Sequence, residues 1–345
     1  MQKRLKILAI ETSCDETAAA IVSGIQNRDT ISDIVIHSNV VASQAALHKR
    51  FGGVFPEVAA REHVKAILPT IRLALREGLG SDEPAALRTL DALAVTVGPG
   101  LIGSLLIGVE TANALALSSK LPLLGINHMA GHFYSTFVPK PLRFPVLALL
   151  VSGGHTQLVW SAHPNQFRIL GTTRDDAVGE AFDKAAALLG LPYPGGVQIE
   201  RVARTATAGI SFPVTRLEHY AFSYSGLKTA LRRALEKSPH PTPAQRANLA
   251  AGFQQAALEQ LIFQTRQATM HYKPASVVVG GGVSINKKLR EKLTDALAPL
   301  SVHFPDPTLT GDNAAMIGIA ALWHTLKQPL KERYDLKAEA SLQLA

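Results

Sequence analysis

Lys6-Ile-Leu-Ala-Ile10-Glu-Thr-Ser-Cys-Asp-Glu-Thr17-Ala-Ala-Ala-Ile-Val22 is the stretch on which the fold turns. The apolar run Lys6–Ile10 enters the polar turn Glu11–Thr17, and Ala18–Val22 leaves it and stops before Gly24. Short apolar runs bounded by turn residues read as strands. The plan recurs at Val146–Val151, Ser152-Gly-Gly-His-Thr156 and Gln157–Trp160. Two strand–turn–strand units in corresponding places predict two related lobes.

Helices are predicted between and after these units. They cover Pro56–Gly78, kinked at Pro69, then Gly103–Ser118, Asn127–Phe137 and Gly179–Leu189, which Gly190 stops. Others cover 225–237, 243–271 and Asp312–Leu326. Further apolar strands are Ala92–Val97, Leu121–Ile126 and Val277–Val279. Strands alternating with helices imply an α/β fold whose sheets are covered on both faces. The division falls near Pro139, Pro141 and Pro145, giving segments 1–135, 136–311 and 312–345, the last placed to pack back on the first lobe.

The composition is globular: 47% of the 345 residues are hydrophobic and only 18% are charged. The longest apolar run, Leu101–Ser119, is interrupted by Glu110, whereas a membrane span needs about 20 mostly apolar residues. The basic start is followed by too short an apolar run for a signal peptide, so a cytoplasmic protein is expected. The single cysteine, Cys14, excludes an internal disulfide and a cysteine zinc site. A net charge of +8 fits either a polyanionic partner or a basic host proteome. Lys228, Arg232, Arg233 and Lys237 form one basic cluster, and Lys287, Lys288, Arg290 and Lys292 another. Neither carries interleaved aromatics for base stacking.

His128-Met-Ala-Gly-His132 is the first chemical signal. On a helix, spacing i, i+4 sets two imidazoles on one face, about 6 Å apart, where they can grip one ion. The zinc protease signature needs a glutamate after the first histidine to activate water. Met129 stands there, so a protease is disfavoured. A third ligand should be a carboxylate, and Asp312 in Thr310-Gly-Asp-Asn313 is the candidate. An ordinary helix N-cap is the alternative for Asp312. Two histidines and one carboxylate suit iron or zinc and leave positions open for substrate.

Glycine turns supply the second signal. Ser152-Gly-Gly154 and Gly280-Gly-Gly282 both follow apolar strands, where glycine lets backbone N–H groups approach a phosphate or a base. Gly98-Pro-Gly-Leu-Ile-Gly103 imitates a dinucleotide fingerprint, but the strand beyond it ends in Asn127-His128 without the ribose-binding acid. Close helix–strand packing explains it better. Acids gather at Glu11, Asp15 and Glu16 in the first turn and again at Asp175, Asp176, Glu180 and Asp183 around a helix start, where they serve as helix-dipole partners or, at Glu180 or Asp183, as a ribose ligand. Of the remaining histidines, only His155 closes a glycine turn.

Together the ordered motifs resemble a known family. They are Glu11–Thr17, Gly53–Glu57, His128–His132, Leu150–His155, Asp176–Lys184, Tyr193–Gly196, Tyr224–Lys228, Gly280–Asn286 and Gly311–Asn313. The family is the bacterial tRNA N6-adenosine threonylcarbamoyltransferases (TsaD), formerly described as O-sialoglycoprotein endopeptidases. The resemblance implies a two-lobed actin-like, sugar-kinase-like (ASKHA) fold with a nucleotide cleft between the lobes. It implies transfer of threonylcarbamoyl from threonylcarbamoyl-AMP to N6 of the adenine beside the anticodon, position 37, in tRNAs reading codons that begin with A. It implies that His128, His132 and Asp312 hold one divalent metal, Fe2+ ahead of Zn2+. Leu150, Val151, Ser152, Gly153, Gly154, Asp183, Gly196 and Asn286 would bind the adenylate. The implied partners are tRNA, a catalytically silent paralogue (TsaB-like) and a small ATPase (TsaE-like), with no membrane. Ala130 and Glu200 depart from the family pattern, which commonly has acid and aspartate there. Asp15 and Glu16, in the first cleft turn, are the candidate bases. The rival readings are an actin-like ATPase or sugar kinase, disfavoured because Mg2+ prefers oxygen ligands, and a scaffold that has lost its chemistry.

Overall fold

β1 (Lys3–Glu11) and β2 (Glu16–Gln26) pair antiparallel with Leu8 opposite Ile21 and Glu11 opposite Ala18, in a computed structural model that describes residues 3–139 and 142–345. Pro141 of the predicted boundary lies outside the described residues. β3 (Ile31–Ser43) adds antiparallel to β2, while β4 (Ala92–Gly98) and β5 (Leu123–Asn127) add parallel on the other side, in the order β3-β2-β1-β4-β5.

The second sheet repeats the plan. β6 (Val146–Val151), β7 (Thr156–Ser161) and β8 (Phe167–Thr172) form the antiparallel meander. β9 (Ser276–Gly280) and β10 (Val302–His303) add parallel beside β6, so the order β8-β7-β6-β9-β10 matches the first sheet strand for strand. β3 and β8 were not legible as strands. Their faces alternate between half-buried and exposed residues, as edge strands do, and no apolar run marks them.

Helices separate the sheets into layers. α1 (Ala45–His48), α2 (Pro56–Leu79) and α3 (Ile102–Ser119) lie with the first sheet, and α4 (His128–Tyr134) follows β5. α5 (Val178–Leu188), α6 (Gly195–Ala203), α7 (Ser225–Glu236), α8 (Pro243–Tyr272) and α9 (Lys287–Leu297) cover the second sheet. α10 (Ala314–His324) is apolar on every side and packs with α4 between the two sheets. Tyr134 stacks on Trp323 at 5.2 Å and locks α4 to α10.

This layering explains the unbroken apolar strands. Ile7 and Ala9 of β1 point into the central core with Ala148 and Leu150 of β6, whereas Leu8 and Ile10 face the outer helices. A strand covered on both faces has no polar side to show. By length and composition α3 would suffice to cross a bilayer, and Glu110 does not interrupt it. It packs instead on β4 and α2, with Leu105, Val109, Ala112 and Ala116 buried.

Candidate metal centre and nucleotide cleft

α4 starts where β5 stops, because Asn127 caps it by accepting the Met129 N–H at 2.8 Å. The predicted helix to Phe137 is shorter in the structure, since Ser135–Phe137 tightens into a 3-10 turn. His128 and His132 lie one turn apart with ring centroids 4.7 Å apart. Asp312 arrives from the loop before α10, with Oδ1 3.5 Å from His128 Nε2 and 3.2 Å from His132 Nε2. Asp312 is not the helix cap: Asn313 performs that task, accepting the Met316 N–H at 3.0 Å. The Asp312 carboxylate is thereby left for the histidines.

One ligand atom from each of His128, His132 and Asp312 falls within 4.8 Å of the others. Both ring nitrogens of His132 are buried with no hydrogen-bond partner among the described residues, which is costly unless something else engages them. A divalent cation on Nε2 fits that requirement, and the donor set of two imidazoles and a carboxylate suits iron or zinc.

Glu11 contributes what no motif revealed. It is fully buried at the end of β1, accepts from Thr96 Oγ1 at 2.6 Å, and stands 3.0 Å from His128 Nδ1. A carboxylate on Nδ1 fixes the ring and turns Nε2 toward the ion. Burial disfavours charge on His128, but Asp312 and Glu11 overcome it and hold its pKa well above the ordinary value. Burial also raises Glu11 and Asp312, and the neighbouring histidines reverse this, lowering both. The pocket is thus built to attract positive charge. The signal available in the sequence was a glutamate closing an otherwise apolar strand.

Asp15 is buried in the turn between β1 and β2, and Glu16 opens β2 beside it. Burial, then Asp312 and Asp15, push Glu16 up to about 9, so it carries a proton at neutral pH. Of the two candidate bases, Glu16 is thereby unsuited to accept a proton at neutral pH. His63 of α2 braces the turn from behind, with Nδ1 2.7 Å from Thr17 Oγ1 and Nε2 2.9 Å from the Cys14 carbonyl.

Across the cleft, Ser152–Gly154 follows β6. Leu150 and Val151 are fully buried core residues, so only their backbone is available to a ligand. A Cβ added at Gly153, Gly154 or Gly282 would meet nothing within 4 Å. These glycines are therefore not demanded by packing, and they leave a cradle open beside the turn. Asp183 of α5 receives the Gly195 N–H at 2.7 Å and borders Gly196. Asn286 is largely committed: Oδ1 caps α9 through Leu289 N–H at 3.0 Å, and Nδ2 donates to Gln254 at 3.0 Å. The turns that carry these residues follow the carboxyl ends of β1, β5, β6 and β9, the end at which open α/β sheets bind ligands. His155 is pushed down to about 4 by burial and by the neighbouring His128 and His132.

The basic clusters divide. Arg232 and Arg233 are exposed on α7 and Lys237 just beyond its end, while Lys228 is paired to Asp176 at 2.6 Å. Arg290 leaves the second cluster, donating to the Ser284 carbonyl at 2.7 Å and lying 4.8 Å over the Phe304 ring. Glu200 accepts from Arg204 and from the Lys287 N–H, joining α6 to α9.

Among solved structures, T. kodakarensis HypF matches with a TM-score of 0.62 at 13% identity, over 94% of this chain and 48% of that one. The Acidaminococcus fermentans (R)-2-hydroxyglutaryl-CoA dehydratase component A matches at 0.52 and 12%, over 94% and 100%. At such identities the likeness is one of fold, the two-lobed actin-like α/β architecture. Sequence relatives reach much closer. A tRNA N6-adenosine threonylcarbamoyltransferase from Halalkalibacterium halodurans is 46% identical over 100% of this chain and 98% of its own. Those from Staphylococcus aureus strain Mu3 and Shouchella clausii are 46% and 47% identical, over 95% and 91% of this chain and 93% and 92% of their own. The model of the TsaD family, tRNA N6-adenosine threonylcarbamoyltransferase, matches residues 35–319. The chain belongs to the tRNA N6-adenosine threonylcarbamoyltransferase family, and its activity is that of a tRNA-modifying transferase.

Proposed function

We propose that the chain takes threonylcarbamoyl from threonylcarbamoyl-AMP and places it on N6 of adenine 37 in tRNAs reading codons that begin with A, releasing AMP. The observation that carries this reading is the buried His128/His132 pair with the half-buried Asp312 beside an open glycine cradle. A kinase or ATPase would hold Mg2+ through oxygens, and two histidines are poorly suited to that.

In the proposed reaction the N6 nitrogen bonds to the carbamoyl carbon. The carbon–oxygen bond to the phosphate breaks, and AMP leaves with the electron pair. Asp15 takes the proton from the attacking nitrogen. Glu16, still protonated, donates a hydrogen bond in the same turn. Backbone N–H groups of Ser152, Gly153 and Gly154 hold the adenylate phosphate, with Leu150 and Val151 setting their height. Asp183, Gly196 and the remaining N–H of Asn286 hold the nucleoside. A divalent ion at His128, His132 and Asp312, Fe2+ ahead of Zn2+, supplies stabilisation of developing negative charge on substrate oxygens.

The working unit divides into residues 1–135, 136–311 and 312–345. It is cytoplasmic, where its tRNA substrate is found. The exposed Arg232 and Arg233 of α7 take part in docking tRNA. The paralogue partner sits on α2 and α3, where Val64, Leu68, Ile102 and Leu106 are exposed around the contact of Ala60 with Gly103. A small ATPase completes the assembly.

The test combines metal content and product. Purified protein assayed with threonylcarbamoyl-AMP and tRNA should yield N6-threonylcarbamoyladenosine by nucleoside mass spectrometry. His132→Ala should lose both the bound metal and the product. Full product from metal-free His132→Ala protein would overturn the assignment.

A further inference from the structure

Gly98-Pro-Gly100 does not face the nucleotide cradle; it receives residues 336–345 of its own chain. The Glu339 N–H donates to the Val97 carbonyl at 2.8 Å, and the Gly100 N–H donates to the Ala340 carbonyl at 3.1 Å. Gly98 has φ +154°, and a Cβ there would collide with the Glu339 carbonyl and with Leu342. Asn113 of α3 grips Leu336 twice, donating to its carbonyl at 3.0 Å and accepting its N–H at 3.1 Å. Leu336 and Leu344 are buried, one in the outer core of the first lobe and the other in the core between the sheets. The segment is pinned along its whole length, largely through backbone groups.

Two contacts continue from this segment to the metal ligands. On one side, Leu101 N–H donates to the Ser13 carbonyl at 2.8 Å, and Gly100 approaches Ser13 so closely that a Cβ would strike it. Ser13 Oγ in turn stands 3.1 Å from His128 Nδ1. On the other side, the Leu342 carbonyl accepts from Asn127 Nδ2 at 3.3 Å. The opposite end of that amide caps α4, the helix that carries both histidines. The segment thereby touches the N-terminus of the histidine helix directly and reaches Ser13, the partner of His128, through the backbone of Gly100 and Leu101.

We infer that residues 336–345 form a positioning strap that sets the geometry of His128 and His132 from outside the cleft, through Gly100–Ser13 and through Asn127. The inference rests on the metal reading of these histidines. Its physical basis is that groups orienting a metal-bound imidazole commonly change metal affinity by about 10–100-fold when lost.

Cobalt(II) is the probe, because its visible spectrum reports ligand geometry. Deletion of residues 336–345 should weaken Co(II) binding at least about tenfold and change the visible bands, with a synthetic peptide of residues 336–345 restoring both. Leu336→Asp, which puts a charge in the buried apolar seat, should act in the same direction. Glu339→Pro removes the N–H that Val97 accepts and stiffens the backbone there, while Leu336 and Leu344 keep their buried seats, so it tests the strap if the deletion unfolds the chain. A folded strap variant with the parent's Co(II) affinity and spectrum overturns the strap. Parent-like Co(II) binding by His128→Ala overturns the metal reading itself, so the two failures are told apart.

Discussion

His132 Nε2 stands 3.2 Å from Asp312 Oδ1, yet neither ring nitrogen of His132 makes a hydrogen bond. At that separation both atoms can coordinate one cation, which would engage the histidine nitrogen. His128, by contrast, has its Nδ1 engaged by Glu11 and Ser13. One imidazole is braced by the protein, and the other is braced only through what it binds.

Glu11→Gln tests the bracing. The amide keeps the shape but loses the charge opposite His128 Nδ1, so metal affinity should fall about 10–100-fold while the fold persists. Titration with Co(II) beside far-UV circular dichroism measures both. Unchanged affinity would show that Ser13 alone orients the ring.

Asp15→Asn and Glu16→Gln should separate sharply. Loss of a general base costs about 10²–10⁴-fold in rate, and this is expected for Asp15→Asn in single-turnover transfer. Glu16 already carries its proton at neutral pH, so the glutamine should stay within a few-fold of the parent. Equal losses would refute the division of roles.

Gly154→Ala should leave stability within about 0.5 kcal/mol, since the added methyl meets no protein atom within 4 Å. KM for threonylcarbamoyl-AMP should rise, because the methyl enters the cradle. A destabilised protein with unchanged KM would mean that the glycine serves the fold.

Charge reversal at Arg232 and Arg233 should weaken tRNA binding and flatten its dependence on salt. Each lost phosphate contact removes about 0.7–0.9 from the logarithmic slope. Binding measured from low to moderate salt with an unchanged slope would move the RNA surface away from α7.

Stability should fall in mild acid. Burial holds His63 below the ordinary histidine pKa and His155 at about 4, whereas both titrate near about 6.5 when unfolded. Between those values the unfolded chain binds protons that the folded chain refuses. The contribution is therefore complete above pH 6.5 and is lost as the pH falls toward 4. Glu16, pushed up to about 9, contributes in the opposite direction, so the histidine effect is read as a difference: denaturant midpoints should fall more steeply with acid in the parent than in His63→Gln.

The lobes were legible because their central strands carry their signal locally. Ile7–Ile10 and Val146–Val151 are apolar throughout, and polar turns follow them. The i, i+4 histidines were legible for the same reason, since helix geometry alone puts them on one face. β3 and β8 escaped because an edge strand with a wet face carries no unbroken apolar run. The glycine motifs looked alike in sequence and proved opposite in use: Gly98 and Gly100 are packed against the chain, while Gly153 and Gly154 face open space.

By itself, the sequence determined the strand–turn–strand repeat, the metal-capable helix and, through ordered motifs, the family. Tertiary structure alone decided that Asn313 and not Asp312 caps α10, that Glu11 braces His128, and that residues 336–345 reach the site at all. Periodicity reports only what neighbours along the chain impose. These contacts join segments far apart in sequence, and they exist only once the two sheets have closed on α4 and α10.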